Sequence, residues 1–177
     1  GLVGSEMCIR DSAGCIKYFD KVWMHRADTV LVPQHAADYQ GEFLYMEEGQ
    51  VFDLGGRKLE VAWMPGHTPG SVVLLDKANG DCYSGDAFGS GEVWLQCVPM
   101  SPIATFHESC CRMEKLMKEG HIKDIWCGHY PYLKSSLPLA YIQTMIRISH
   151  RLMNGDQEGS EPYSNYFIKM PPTCLLY

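Results

Sequence analysis

The sequence predicts an α+β domain, and three observations carry that prediction. Short runs rich in Val and Leu arrive in pairs around Gly-containing turns, which is the pattern of β-hairpins. Two longer stretches, 106–119 and 139–153, repeat apolar residues at helical spacing. Ionisable side chains collect in the turns where strand-like runs stop, as they do when loops at the rim of a rigid sheet carry function.

In chain order, Ala13–Phe19 reads as a short helical segment and Val22–His25 as a strand. Arg26–Gln40 reads as a connection plus a helix containing Ala36, Ala37 and Tyr39. Gln50–Leu54 and Lys58–Met64 read as strands joined by Gly55-Gly56. Val72–Leu75 and Cys82–Ser84 pair across Ala78-Asn79-Gly80, whose Asn-Gly step favours a type I′ turn. In Phe106–Glu119, Met113, Leu116 and Met117 share one face and Glu114 and Lys118 the other, with Gly120 as the stop. Lys123–Cys127 is a strand. Leu139–Met153 is an amphipathic helix that turns Ile142, Met145, Ile146 and Leu152 to the core and ends at Asn154-Gly155. Residues 156–173 are polar, then rich in Tyr and Pro, and read as peripheral. Hairpins with helices before and after suggest helices outside a two-sheet sandwich, although composition alone admits other α/β layouts.

Length and composition set bounds. At 177 residues, 46% hydrophobic and 20% charged, the chain is expected to form one globular domain. A net charge of −6 argues against a nucleic-acid surface. No apolar stretch approaches the roughly 20 residues of a membrane helix. The eight cysteines, Cys8, Cys15, Cys82, Cys97, Cys110, Cys111, Cys127 and Cys174, form no Cys-x-x-Cys pair. They read as free thiols in a reducing, cytoplasmic compartment. Cys110 and Cys111 are neighbours on a helix, so they point to different faces and make a poor metal clamp.

The chemistry concentrates in 61–94. Between two apolar runs lies Pro65-Gly66-His67-Thr68-Pro69-Gly70, in which two Pro-Gly pairs enclose a histidine in a tight turn. The next strand stops at Ser84-Gly85-Asp86, and a later one at Cys127-Gly128-His129. Three strand ends thus deliver His67, Asp86 and His129, donors that suit zinc and also iron or manganese. Each has a plain structural reading too: a turn histidine in water, a helix cap or turn aspartate, and a histidine opening the turn before Pro131. His25, His35, His107, His121 and His150 lack partners at ligand spacing and read as surface or packed histidines. Trp63, Trp94 and Trp126 read as core or rim packing, with Trp94 a candidate for lining a substrate pocket.

Pro65–Ser71 (PGHTPGS), Ser84–Phe88 (SGDAF) and Gly128–Pro131 (GHYP), in this order, resemble the metallo-β-lactamase superfamily, and Val51–Leu59 (VFDLGGRKL) looks like the strands before its third-histidine motif. The resemblance covers roughly residues 13–155. It selects a four-layer αββα sandwich from the layouts left open above. It implies His67 as the third histidine of a first metal site, Asp86 as a ligand shared by two metals, and His129 as a ligand of the second. Thr68 and Ser71 would hydrogen-bond ligands or the loops around them. It further implies two zinc ions per intact site, with iron or manganese possible, and a metal-bound hydroxide held by Asp86 that attacks a small ester, thioester or lactam-type substrate. Glyoxalase II-like thioester or ester hydrolysis is the mildest reading. A mononuclear-iron sulfur dioxygenase shares the scaffold, and a ligand-depleted binding protein without catalysis is the non-enzymatic alternative.

The family's first ligand motif, His-x-His-x-Asp-His, belongs just before Ala13-Gly14. Residues 1–12 (GLVGSEMCIRDS) show neither helical nor strand period and resemble translated sequencing adapter; residues 174–177 (CLLY) look like a companion. Asp11-Ser12 is therefore given no ligand role. On this reading residues 13–173 are a domain fragment lacking its first strands and first motif. It is expected to bind metal poorly, to be inactive and to aggregate through unpaired strands. The expected partner is a small-molecule substrate, not nucleic acid or membrane, and the oligomeric state is left open.

Overall fold

The computed structural model describes residues 15–89, 92–95, 101–128, 135–156 and 167–169. A 3₁₀ turn, Ile16–Tyr18, leads into β1 (Lys21–His25). A second 3₁₀ segment, Arg26–Leu31, runs into the one-turn helix α1 (Val32–His35), where Pro33 sits in the first turn. The helix expected to reach Ala36, Ala37 and Tyr39 ends earlier. Ala36 leaves helical geometry at φ −143°, and the Tyr39 hydroxyl donates to the Phe19 carbonyl at 3.1 Å while its ring lies 4.8 Å from Phe43. Those contacts tie the segment to β2 (Glu42–Met46), a strand that runs parallel to β1.

The central sheet has five strands in the order β3 (Val51–Asp53), β4 (Lys58–Trp63), β5 (Val72–Asp76), β6 (Asp81–Gly85) and β8 (Asp124–Cys127). The first four strands pair antiparallel, and β8 joins β6 in parallel. Gly55 and Gly56 turn the first hairpin with φ of 79° and 120°, values that suit residues lacking a Cβ. The β5–β6 turn is longer than the two-residue Asn-Gly form. Asp76 pairs with Asp81, so four residues, 77–80, make the loop. The amides of Asn79 and Gly80 both donate to the Asp76 carbonyl, which the compact two-residue turn would not allow. The short strand β7 (Glu92–Trp94) pairs in parallel with β9 (Phe167–Lys169). The C-terminal stretch that reads as peripheral contributes this strand, whose three residues are too few to show a period.

Two helices complete the core. α2 (Ile103–Lys118) buries Ile103, Phe106, Cys110, Met113 and Met117, and α3 (Leu139–Met153) buries Tyr141, Ile142, Met145, Ile148 and Leu152. They share one apolar cluster with Ala62, Met64, Val73, Leu75, Cys82, Phe88 and Ile125 of the sheet and its loops. Each Val, Leu, Ile, Phe or Met side chain among them contributes roughly 1.5–3 kcal/mol on burial. Among the described residues no helix is long and apolar enough to cross a membrane.

One rim of the sheet is closed by charge. Asp76 is fully buried and pairs with Arg57, which also reaches Asp81 at 3.2 Å and the Tyr83 hydroxyl at 2.7 Å. The Asn79 side chain donates to Asp76 at 2.8 Å, and the Trp126 indole donates to Asp81 at 2.9 Å. The opposite rim carries the loops considered next.

Candidate functional site

The strand directions bring the relevant loops to one edge. β4, β6 and β8 end there and β5 begins there, because β4 and β6 both run antiparallel to β5 and β8 runs parallel to β6. His67 lies in the β4–β5 connection and Asp86 directly follows β6. His129 follows β8 by two positions but lies outside the described residues, as do residues 1–14 with Asp11, Ser12 and the helix start at Ala13-Gly14. The Trp94 side chain is likewise outside them.

The His67 turn is built from internal hydrogen bonds. The Met64 amide donates to the Ser71 carbonyl at 2.9 Å, and the Gly66 amide to the Thr68 carbonyl at 3.1 Å. The Thr68 amide donates to Ser71 Oγ at 2.9 Å, and the two hydroxyls of Thr68 and Ser71 also lie 2.9 Å apart. Ser71 Oγ is thus bonded within the turn, to the amide and the hydroxyl of Thr68. Gly66 has no room for a side chain: a Cβ there would stand 2.6 Å from the Phe106 ring. Ser109, one turn further along α2, donates to the Pro65 carbonyl at 2.7 Å.

Asp86 is held from the other side. Gly85 adopts φ 52°, so the chain leaves β6 in a left-handed conformation that glycine takes without strain. The Gly128 amide donates to the Gly85 carbonyl at 2.8 Å, which joins the ends of β6 and β8. A Cβ on Gly128 would come 2.7 Å from Asp86 Oδ1. The carboxylate therefore rests in a cradle that only a glycine leaves open. Ser84, buried beneath it, donates to the Phe88 carbonyl at 3.1 Å and steadies the loop.

Imidazole and carboxylate on rigid strand ends form a donor set that fits zinc, iron or manganese. The glycine cradle places the carboxylate at the rim, as a ligand must be. Among the described residues, no three of His, Cys, Asp or Glu gather into a metal-holding group, so His67 and Asp86 form the described part of the candidate centre.

Sequence reading missed several groups that shape this rim. Asp28 accepts from Thr68 Oγ1 at 2.8 Å and from the Gly70 amide at 2.6 Å. Trp63, read as core or rim packing, takes the rim: it is 40% exposed, stacks on His25 at 5.1 Å, and donates through its indole to the Pro69 carbonyl at 2.9 Å. Arg112 of α2 donates to the Trp63 carbonyl at 3.0 Å and pairs with Glu48. None of these pairs has a sequence signature, since they join residues up to 64 positions apart. The hydroxyls of Thr68 and Ser71 were the one hint that the turn needs an acceptor.

The other histidines lie elsewhere. His107 Nδ1 lies 2.8 Å from Ser149 Oγ, and its Nε2 lies 3.6 Å from Cys111 Sγ. Cys110 is buried and Cys111 exposed, as their adjacency on a helix requires. Burial raises both Cys82 and Cys110 well above the ordinary thiol range. None of the five described cysteines is joined in a disulfide.

Fold and rim together define a class: α+β proteins whose strand-end loops gather a histidine and a carboxylate at one sheet edge. The sequence profile of the metallo-beta-lactamase superfamily matches residues 13–107, and the chain belongs to that superfamily. It is 34% identical over 85 residues to an acyl-coenzyme A thioesterase, MBLAC2, of Gallus gallus, a match covering 48% of this chain but 30% of the thioesterase. The chain therefore spans about a third of the curated relative it matches. Among solved structures, a metallo-beta-lactamase family protein of Thermus thermophilus superposes with a TM-score of 0.61 at 16% identity, covering 80% of this chain and 58% of that one. A second, solved in a di-iron-bound form, gives 0.56 at 23% identity, covering 75% and 69%. These likenesses establish the αββα sandwich fold.

Proposed function

We propose that this chain is part of a metal-dependent hydrolase that cleaves thioesters of the acyl-coenzyme A type. The observation that carries the reading is the 34% identity to acyl-coenzyme A thioesterase across a stretch of 85 residues. The placement of His67 and Asp86 at one rim of the central sheet supports it. In this reading His67, Asp86 and His129 hold the metal. A bound zinc, iron or manganese ion supplies Lewis acidity and makes water acidic enough to serve as a nucleophile near neutral pH.

The chain's own residues set the stage. The turn bonded through Thr68 and Ser71 fixes the direction of the His67 backbone. Asp86, resting over Gly128, offers carboxylate oxygens that accept hydrogen bonds at the rim, and so orients an attacking water. The substrate is a small molecule that approaches this edge, away from the rim closed by Arg57 and Asp76.

The test is thiol release from acyl-coenzyme A by the protein expressed from its complete reading frame, first stripped with chelator and then supplied with Zn²⁺, Fe²⁺ or Mn²⁺. Release is expected to return with metal and to be lost in Asp86→Ala and His67→Ala. Full activity in chelator, or no thiol release with any of the three metals, would overturn the reading.

A further inference from the structure

Asp28 lies 39 residues before His67, in the 3₁₀ segment after β1, yet it is the acceptor around which the His67 turn closes. Its Oδ2 takes the Thr68 hydroxyl at 2.8 Å and its Oδ1 the Gly70 amide at 2.6 Å. Those donors flank Pro69, so the carboxylate bridges the descending limb of the turn just after His67. The fit is close: a Cβ on Gly70 would stand 2.5 Å from Asp28 Cγ, so Gly70 is shaped to admit the carboxylate.

Asp28 is itself held in place. His25 caps its segment, accepting the Ala27 amide on Nδ1 at 3.3 Å. The His25 ring stacks on Trp63 at 5.1 Å and 14°, and the Trp63 indole donates to Pro69 of the same turn. Thr29 Oγ1 donates to the Arg26 carbonyl at 2.8 Å and tightens the segment further. A closed circuit results: β4 through Trp63 to His25, along the 3₁₀ segment to Asp28, and back into the turn at Thr68, Pro69 and Gly70. Hydrogen bonds to charged acceptors are the stronger kind, and groups that fix a ligand's support commonly alter metal affinity 10- to 100-fold.

We infer that Asp28 is a positioning residue that locks the His67 turn in the conformation from which His67 ligates the metal. The inference rests on the metal-centre reading above, and its test separates the two. Asp28→Ala removes both acceptors. Asp28→Asn keeps a carbonyl oxygen for the Gly70 amide and offers an NH₂ to the Thr68 hydroxyl, whose own proton can then turn to Ser71. Three quantities are measured on the full protein: Zn²⁺ affinity by calorimetry, hydrogen exchange at the Gly70 and Val73 amides, and the melting temperature without metal.

Asp28→Ala is expected to weaken Zn²⁺ binding at least tenfold and to speed exchange at Gly70 at least tenfold. Val73, inside β5, should keep its protection, and Asp28→Asn should restore both properties to within about threefold. A merely structural role would lower the melting temperature and speed exchange at both amides together, which overturns the inference. Unchanged Zn²⁺ affinity in Asp28→Ala overturns it too. If the wild-type protein binds no Zn²⁺, the metal-centre reading fails. Selective exchange at Gly70 then still supports Asp28 as the lock on the turn, and unchanged exchange there overturns it.

Discussion

Replacing Gly66 by alanine should disturb the protein at the point where the His67 turn meets its core. The new Cβ would stand 2.6 Å from Phe106 Cδ2, 3.0 Å from its Cβ and 3.2 Å from its Cγ. Carbon atoms prefer separations of about 3.5–4.0 Å, so turn and ring must part by about 1 Å. The ring has little freedom to retreat. Phe106 is 1% exposed, its ring centroid lies 6.4 Å from that of Phe88, and its helix is bonded to the turn through Ser109 and Pro65. Overpacking of this kind costs about 1–3 kcal/mol. At about 2–4 °C per kcal/mol for a domain of this size, the melting temperature should fall by about 2–12 °C. Trimming the ring supplies the control. Phe106→Leu alone destabilises, but in the Gly66→Ala/Phe106→Leu double variant the two losses should add to less than their sum, with a coupling of about 0.5–3 kcal/mol. The assay is thermal or urea unfolding of the four proteins. A Gly66→Ala melting temperature within 1 °C of wild type, or strict additivity in the cycle, would refute the steric argument.

Further outcomes follow from the same geometry. Gly128→Ala should push the Asp86 carboxylate off its seat and weaken metal binding about tenfold or more with a small change in melting temperature, as read by Zn²⁺ titration. Asp76 accepts from Asn79 and pairs with Arg57, which holds its carboxyl below the ordinary aspartate range. Since its folded value lies under the unfolded one, its contribution is present above about pH 4 and is lost as pH falls through the folded value. Urea midpoints should therefore drop on acidification below about pH 4, and Asp76→Asn should start lower at pH 7 and show a shallower acid limb. A thiol reagent applied to the native protein should modify Cys15 and Cys111 and spare Cys82, Cys110 and Cys127, with mass spectrometry of the labelled peptides as the readout. Rapid native labelling of Cys110 would contradict the packing of α2 against the sheet.

The sequence by itself determined the parts of this protein that depend on near neighbours. The apolar period of 139–153 marks α3 to the residue, and Gly55-Gly56 marks the first hairpin, because helix faces and tight turns are set by spacings of a few positions. The Pro-Gly pairs around His67 and the Ser-Gly-Asp at the end of β6 mark the turns that carry His67 and Asp86 for the same reason. The tertiary structure alone decided what joins distant positions. β2 has no clean alternation, and its identity as a strand comes from parallel pairing with β1. β9 becomes a strand by pairing with β7, more than 70 residues earlier. Asp28 looks like any polar residue of a surface turn until the fold sets its carboxylate against Thr68 and Gly70. Gly128 reads as a turn residue until Asp86 is seen to occupy the space its side chain would take. Local pattern expresses backbone preference and burial, which act along the chain; the shape of the rim comes from side chains meeting across the sheet, and no spacing in the sequence records such meetings.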